Sequence, residues 1–378
     1  MSVERRGAWT LRLGPEATTL GRGDEAVYTF DLEGRPVSWW DGETTFKRSL
    51  ASDVHTRRGD AAGRERRVLA PGEALDAFGR VLETARSSPW RRLERLEVIA
   101  RWTPETLAGE KVRFEAAYLP ISILPPDQYG SVVLQATFGC SWNRCTFCGF
   151  YQDRPFRARA PVEFAAHVEA VRGLLGRGAA LRKSIFLADG NALLLSRERL
   201  EPMLDAAAAA FPGRRVHGFV DVVTGERKPA AEWRALRERG LTRVHVGVET
   251  GHAPLLSWMH KPGSPGEAAA FVGELKAAGL SVGLIVMVGA GGDRFAAAHV
   301  SETLALLSRL PLGRGDLVYL SPFLEHASSV YATHAAAEGV RALSESRRAA
   351  QYALLRDGAR AALPGVRVAL YDLREFLY

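Results

Sequence analysis

The second half of the chain alternates short apolar runs with longer stretches of helical periodicity. The apolar runs predict six strands, at 131–137, 184–188, 215–220, 243–248, 281–288 and 316–321. Apolar positions at helical spacing predict helices near 162–176, 197–210, 230–239, 264–278 and 294–309, and a last helix and strand at 344–362 and 366–371. Strands that are apolar nearly throughout, separated by helix-length segments, indicate an α/β fold with a parallel sheet covered by helices.

Six βα repeats fit two architectures. One is a partial (β/α)6 barrel, similar to part of a TIM barrel, and the other is a doubly wound sheet. The partial barrel is the architecture that we predict, with a short C-terminal helix and strand added to it.

The first part of the chain has a different pattern. Two β-prone runs flank a Glu33-Gly34-Arg35-Pro36 turn signal, and helical spacing follows over 73–86 and 91–101. A Pro-marked boundary at 121–130 precedes the alternating region. We therefore expect an N-terminal α+β extension over 1–127, a barrel over 128–335, and a C-terminal helix and strand over 336–378 that close the barrel.

Composition and charge narrow the class of protein. Of 378 residues, 47% are hydrophobic and 25% are charged, as in ordinary soluble proteins. No apolar run approaches the ~20 residues that span a bilayer, and no apolar core follows the first residues as in a secretory signal. We expect a cytoplasmic protein without a membrane span.

The net charge of +7 invites a nucleic-acid hypothesis, since Lys and Arg number 50 against 43 Asp and Glu. The basic residues are scattered among acidic ones, however, whereas nucleic-acid-binding proteins cluster their charge on one face. A small-molecule substrate is therefore favoured over nucleic acid.

The three cysteines of the chain, Cys140, Cys145 and Cys148, lie within nine residues directly after the first predicted barrel strand. Three thiols so close together exclude a disulfide framework. The carboxyl end of a parallel strand is also where such folds place their chemistry. The cysteines therefore predict a metal centre.

Two metal centres fit three thiolates. A structural zinc ion needs a fourth protein ligand, and the nearest histidine is His167, on a predicted helix. A 4Fe–4S cluster held by three thiolates has one iron without a protein ligand, to which a substrate or cofactor can coordinate. The zinc alternative leads to a zinc-stabilised nucleic-acid-binding protein.

The Cys-x4-Cys-x2-Cys spacing, with Phe147 before the last cysteine, resembles the radical S-adenosylmethionine (radical SAM) superfamily over roughly 128–335. The usual family spacing is one residue shorter. The longer form is similar to a subgroup with coproporphyrinogen-oxidase-like and elongator-type catalytic domains. The resemblance implies that a reduced 4Fe–4S cluster cleaves S-adenosylmethionine into methionine and a 5′-deoxyadenosyl radical, which abstracts hydrogen from a substrate. It also implies a flavodoxin or ferredoxin as reductant.

The same resemblance implies cofactor contacts at residues that follow other strands. Asp189 and Gly190 match the position of a Gly-Gly-Glu-like turn, although an ordinary Asp-Gly turn fits equally. Glu249 lies in a stretch similar to Gly-x-Glu-Ser-Gly. Further candidates for contact with S-adenosylmethionine are Lys261, which could equally be a solvated loop lysine, Gly289 in the strand-five motif, and Phe147 and Gly149 beside Cys148.

Substrate contacts are predicted on two segments. Tyr151 and Arg154 follow the cysteines, and Arg154 belongs to a basic patch that either meets an anionic partner or solvates the loop. Glu325 and His326 follow the sixth strand at the same edge, where a polar loop is the alternative. Because no fourth cysteine exists, an auxiliary cluster and a methyl-carrying cysteine are excluded.

Overall fold

The computed structural model describes residues 2–59, 64–225, 227–326 and 329–378. The chain forms two compact units. The first comprises Met1–Ile121, Glu169–Lys183 and Leu377–Tyr378, and the second comprises Ser122–Val168 and Ser184–Phe376. The predicted three-part division at 127 and 335 stays a prediction.

The first unit contains an antiparallel sheet whose eight described strands pair in chain order. These strands are β1 Ser2–Arg6, β2 Trp9–Leu13, β3 Thr18–Arg22, β4 Ala26–Phe30, β5 Pro36–Trp40, β6 Thr44–Arg48, β7 Val54–Gly59 and β8 Arg64–Val68. The predicted turn connects β4 to β5. Its Gly34 has a φ of 82°, and a Cβ there would lie 2.8 Å from the backbone of Ile99, so the turn requires glycine.

Three helices follow the sheet and complete the predicted α+β extension. They are α1 Pro71–Ser87, α2 Glu94–Ala100 and α3 Pro104–Ala117. The sequence predicted α1 and α2 but missed α3, in which Leu107 and Ala117 are the buried apolar residues. The start of α3 carried a signal nonetheless, because Thr103 accepts a hydrogen bond from the Thr106 amide (3.2 Å) and Pro104 follows it.

The second unit contains a parallel sheet whose seven described strands also follow chain order. They are β9 Val132–Gln135, β12 Ser184–Ala188, β13 Arg215–Val220, β14 Leu241–Glu249, β15 Ser281–Val288, β16 Leu317–Pro322 and β17 Arg367–Leu370. All six predicted barrel strands are confirmed, and the predicted C-terminal strand is confirmed as β17, beside β16. A short antiparallel pair, β10 Thr137–Phe138 and β11 Arg157–Ala158, follows β9.

The helices that follow these strands match the predicted positions closely. They are α4 Pro161–Leu175, α5 Arg197–Ala210, α6 Val222–Gly225, α7 Ala230–Glu238, α8 Ala253–Trp258, α9 Pro265–Ala277, α10 Gly292–Leu307, α11 Val330–Ala337 and α12 Glu345–Ala362. The sequence missed the short helices α6, α8 and α11. In the described parts of the chain, no helix is both long enough and apolar enough to cross a membrane.

The sheet is a partial barrel, as predicted. A doubly wound sheet reverses its strand order at a switch point, whereas this order runs through the described strands without reversal. Right-handed crossovers then place the helices on one face. Asp127, just before β9, accepts hydrogen bonds from Tyr319 on β16 (2.6 Å) and from Arg243 on β14 (2.7 Å). The other face of the sheet is therefore concave, and the start of the first strand, β9, lies close to the sixth strand, β16.

Candidate functional site

The cysteine loop follows β10 at the carboxyl edge of the parallel sheet. Gly139 opens it with a φ of 72°, and a Cβ there would lie 3.2 Å from the Arg154 carbonyl oxygen. The Trp142 indole N–H donates to the His260 carbonyl (2.8 Å), and the Thr146 amide donates to the Met259 carbonyl (3.0 Å). The loop is thus fastened to the segment that follows α8.

All three cysteines are free and half-buried. Burial raises the pKa of Cys145 to about 12 and that of Cys148 to about 11. Among the described residues, a set of three ligand atoms within 4.8 Å of one another occurs elsewhere, at Asp127, His217 and His245, and the cysteines form no such set.

The two candidate metal centres make different demands on the three thiols. A tetrahedral zinc ion with Zn–S bonds of about 2.3 Å would hold its sulfurs about 3.8 Å apart. An iron–sulfur cluster distributes its thiolates over separate iron atoms, so the sulfurs need not approach one another. Three thiolates on one loop therefore fit the donor set of a cluster that has one iron without a protein ligand.

Glu249 and Lys261 form an ion pair beside this loop. Glu249 ends β14 with a φ of 61°, and the Lys261 ammonium donates to its Oε1 (3.1 Å). A Cβ on Gly247 would lie 2.3 Å from that oxygen, so the glycine makes room for the pair. Burial opposes the charge of Lys261, but Glu249 and Cys145 outweigh it and raise the pKa of Lys261. The structure thus brings Glu249 and Lys261 next to the cysteines.

Asp189 follows β12 and contacts the start of the cysteine loop. Its carboxylate accepts from the Gly139 amide (3.2 Å) and from the Gln135 side chain (3.3 Å), and Arg154 lies 3.7 Å away. Burial raises the pKa of Asp189 to about 6, against the opposing effect of these partners. Asp189 therefore connects β12 to the loop, and its contact with a cofactor stays a prediction.

Tyr151 and Gly190 pack directly against each other. A Cβ on Gly190 would lie 2.5 Å from the Tyr151 ring, which is buried. The Arg154 guanidinium lies 5.9 Å from the same ring. The predicted substrate residues Tyr151 and Arg154 are therefore placed between the cysteine loop and the Asp189 turn.

The other predicted contacts are more dispersed. The Phe147 ring packs against the apolar cluster around Leu255 and Met259, and Gly149 is exposed. The Gly289 amide donates to the Gln351 side chain on α12 (2.7 Å). Glu325 and His326 are exposed after β16, and within the described residues no hydrogen bond or ion pair connects their side chains to the cysteine loop.

Sequence reasoning missed a polar network beside the first cysteine. The Asn191 amide group donates to Ser141 Oγ (2.8 Å), to Thr224 Oγ1 (3.1 Å) and to Asp221, whose backbone N–H donates back to Asn191 (3.0 Å). Asn191 and Asp221 each follow the end of a strand, β12 and β13. Polar residues at that position were the available signal.

Comparisons with known proteins support the family resemblance that the cysteine loop indicated. Residues 134–300 match a family model described as the radical SAM superfamily, which confirms the resemblance found in the sequence. No curated protein sequence matches the chain.

Several solved structures are similar to the chain. Coproporphyrinogen III oxidase (HemN) from Escherichia coli, described as a radical SAM enzyme, is 14% identical with a TM-score of 0.45, over 67% of this chain and 55% of that one. Methylornithine synthase (PylB) is 16% identical with a TM-score of 0.43, over 80% and 85%. The cobalamin-dependent S-adenosylmethionine radical enzyme OxsB is 12% identical with a TM-score of 0.42, over 82% and 38%. The chain thus spans about half of HemN and little more than a third of OxsB.

Proposed function

Because residues 134–300 form a domain of the radical SAM superfamily, which is a superfamily of enzymes, we propose that the chain binds a 4Fe–4S cluster through Cys140, Cys145 and Cys148 and uses S-adenosylmethionine. The bound cluster would supply the electron that cleaves S-adenosylmethionine into methionine and a 5′-deoxyadenosyl radical, which takes hydrogen from a small-molecule substrate. The reductant in this proposal is a flavodoxin or ferredoxin. The cytoplasmic location stays a prediction.

The observation that carries the proposal is the arrangement of the three thiols. They lie half-buried on one loop at the carboxyl edge of a parallel sheet, where such folds place their chemistry. Three thiolates leave one iron of a four-iron cluster without a protein ligand, which is the position that a cofactor can take.

The Glu249–Lys261 pair supports a place for the amino-acid end of S-adenosylmethionine. That end is a zwitterion, with one ammonium and one carboxylate. A carboxylate and an ammonium already paired at 3.1 Å beside Cys145 can exchange their mutual contact for contacts with these groups, without leaving a charge unpaired. Glu249 would hold the ligand ammonium and Lys261 its carboxylate.

The remaining predicted residues complete this proposal. Asp189 and Gly190 stay proposed cofactor contacts; Asp189 would also position the cysteine loop through the Gly139 amide, and Gly190 leaves space for the Tyr151 ring. Phe147, Gly149 and Gly289 are the other proposed cofactor contacts. Tyr151, Arg154, Glu325 and His326 are the proposed substrate residues.

We place the contact with the reductant on the exposed side of the loop. Trp142 is 39% exposed, and the Arg144 guanidinium lies 5.6 Å from its ring. An acidic electron-transfer protein would meet a cationic and aromatic surface there, which complements its charge.

Anaerobic reconstitution tests the proposal. The full-length protein should bind about four iron atoms per chain and, with dithionite and S-adenosylmethionine, release 5′-deoxyadenosine. Cys145→Ala should lose both iron and cofactor cleavage. Arg144→Ala is the matched control, because it changes the neighbouring exposed residue without removing a thiol, and it should keep both properties when dithionite is the reductant. A folded protein that binds no iron would refute the proposal.

A further inference from the structure

A second group of ligand-type side chains lies apart from the cysteine loop, with two buried histidines on barrel strands and an exposed aspartate just before the first strand. Asp127 precedes β9, His217 is the third residue of β13, and His245 is the fifth residue of β14. One ligand atom from each lies within 4.8 Å of the other two. Two imidazoles and one carboxylate are a donor set that suits zinc and related divalent transition metals.

Three of the four ring nitrogens of these histidines are buried without a hydrogen-bond partner among the described residues. His245 is fully buried, and neither of its ring nitrogens has a partner; His217 Nδ1 is also unpartnered. A neutral imidazole carries one donor and one acceptor, and buried polar groups are nearly always paired. These buried nitrogens are therefore available to a further ligand.

The space around His245 is shaped for an imidazole. A Cβ on Gly283, in the neighbouring strand β15, would lie 2.4 Å from His245 Nδ1. The rings of His217, Phe219 and Tyr319 lie 5.9–6.4 Å from the His245 ring. Aromatic neighbours fix the ring's position but offer its nitrogens no hydrogen bond from their faces.

Asp127 is held in place by three donors. Tyr319 donates its hydroxyl to Oδ1 (2.6 Å), and Arg243 and Gln128 each donate to Oδ2 (2.7 Å). Hydrogen bonds of this kind orient the carboxylate ligands of metal sites. The Arg243 charge opposes a second cation, but this side chain is 19% exposed and also donates to the Gly315 carbonyl (2.8 Å), so solvent screens part of its charge.

We propose that Asp127, His217 and His245 bind one divalent transition metal ion of the zinc class, with water in the fourth position. A tetrahedral zinc site spaces its nitrogen and oxygen ligands about 3.4 Å apart, so the ion would draw together three ligand atoms that lie within 4.8 Å of one another. The ion would fasten the segment before β9 to β13 and β14. Its role would be to stabilise the fold of the barrel at a site separate from the cysteine loop.

The test uses the full-length protein after anaerobic reconstitution of its cluster. The protein is incubated with one equivalent of Zn²⁺, separated from unbound metal, and analysed for zinc, for iron and by zinc-edge X-ray absorption. We expect one zinc per chain with nitrogen and oxygen ligands at about 2.0–2.2 Å and no sulfur at about 2.3 Å, together with a higher melting temperature. Iron content, which reports on the cysteine loop, should not change.

His217→Gln and His245→Gln should abolish zinc binding while the iron stays bound. His299→Gln is the matched control, because His299 is equally buried but hydrogen-bonded to Thr250 and Met287, and it should retain zinc. Absence of zinc from the folded wild type, sulfur among its ligands, or zinc retained in both glutamine variants would overturn the proposal.

Tyr319→Phe keeps the test decisive if the histidine variants fail to fold. It removes the hydroxyl that orients Asp127 and leaves the ring in place. We expect zinc affinity, measured against a chromophoric chelator, to fall about 10- to 100-fold. Unchanged affinity would contradict a metal bound through Asp127.

Discussion

Glu249 and Lys261 are charged side chains that are only 9% and 12% exposed. Glu249→Gln leaves the Lys261 ammonium without a counter-charge, so we expect the free energy of unfolding to fall by about 3 kcal/mol. If Glu249 holds the ligand ammonium, the affinity for S-adenosylmethionine should fall about 10- to 100-fold, since hydrogen bonds to charged groups contribute about 1.5–3 kcal/mol. Calorimetry on the reconstituted protein measures the affinity, and urea unfolding measures the stability.

A second buried ion pair provides the control for that experiment. Lys276 pairs with Asp316 (2.7 Å), whose side chain is fully buried outside the cysteine loop. Asp316→Asn should lower stability comparably and leave cofactor affinity unchanged. If both variants weaken cofactor binding equally, the effect of Glu249 is one of stability alone.

The burial of His299 predicts that the free energy of unfolding depends on pH. Burial lowers its pKa to about 4, below the value of about 6.5 expected in the unfolded chain. The unfolded state then binds more protons between these values. The contribution of the neutral His299 to the free energy of unfolding is therefore fully present above pH 6.5. It is lost as the pH falls toward 4, by about 3 kcal/mol.

His299→Gln isolates this contribution, because glutamine does not titrate. Urea unfolding of both proteins at pH 7 and near pH 4 should show a smaller loss of stability for the variant. An equal loss in both proteins would mean that other groups account for the acid sensitivity.

Candidate site residues could be proposed from the sequence where the signal was local. The cysteines lie on one loop, and Glu249 ends an apolar strand where a carboxylate is costly without a role. Asp127, His217 and His245 come from three separate elements with no characteristic spacing, so only the folded barrel brings them together.

At the scale of elements, the cysteine loop depends on its first residue. Gly139→Ala would force a non-glycine residue into a φ of 72°, which costs about 1–2 kcal/mol, and place a Cβ 3.2 Å from the Arg154 carbonyl. We expect the loop to shift and the iron bound per chain to fall severalfold. The barrel should keep its circular dichroism spectrum, because the strands are not changed.

Gly149→Ala provides the matched control at the other end of the loop. A Cβ there would have no other atom within 4 Å, and Gly149 has no positive φ. This variant should retain its iron. Loss of iron from both variants, or from neither, would contradict a specific requirement at Gly139.

The strands of the two sheets differed in how well the sequence predicted them. β9 and β12 are buried at every position, so their runs are apolar except at Gln135 and Ser184 and are readily recognised. In β6, by contrast, Phe46 is the buried apolar residue among Thr44, Thr45, Lys47 and Arg48. Such short strands have too few alternating apolar positions to distinguish them from loops, which is why β1–β3 and β6–β8 were missed.

At the scale of the whole molecule, the first unit is discontinuous in sequence. It includes Glu169–Lys183, which lies between β11 and β12 of the second unit. Arg35 fastens this segment, because its guanidinium donates to the Leu174 and Leu175 carbonyls (2.8 and 2.6 Å). No local pattern could predict that residues 169–183 fold with the N-terminal sheet, since the contact spans about 140 positions.

Arg35 also balances two buried acids, Asp31 (2.7 Å) and Glu110 (2.9 Å), and all three side chains are at most 6% exposed. Arg35→Met keeps an unbranched apolar stem but leaves both carboxylates without this buried cation and both carbonyls without its donors. We expect the first unit to lose about 3–5 kcal/mol of stability. In hydrogen exchange, protection should fall together at residues 31–35 and 169–183, while β13 to β15 stay protected.

The exposed pair Arg58–Glu43, at 62% and 70% exposure, supplies the control. Arg58→Met removes an equal charge, but a solvated pair contributes about 0–1 kcal/mol, so protection should barely change. If Arg35→Met instead lowers protection uniformly over both sheets, the two units unfold as one. If residues 169–183 keep their protection while 31–35 lose theirs, the segment is held by contacts other than Arg35. The expected result is a joint loss of hydrogen-exchange protection in two segments that are distant in sequence. It would show that the first unit unfolds cooperatively and that the Arg35 guanidinium couples the two segments.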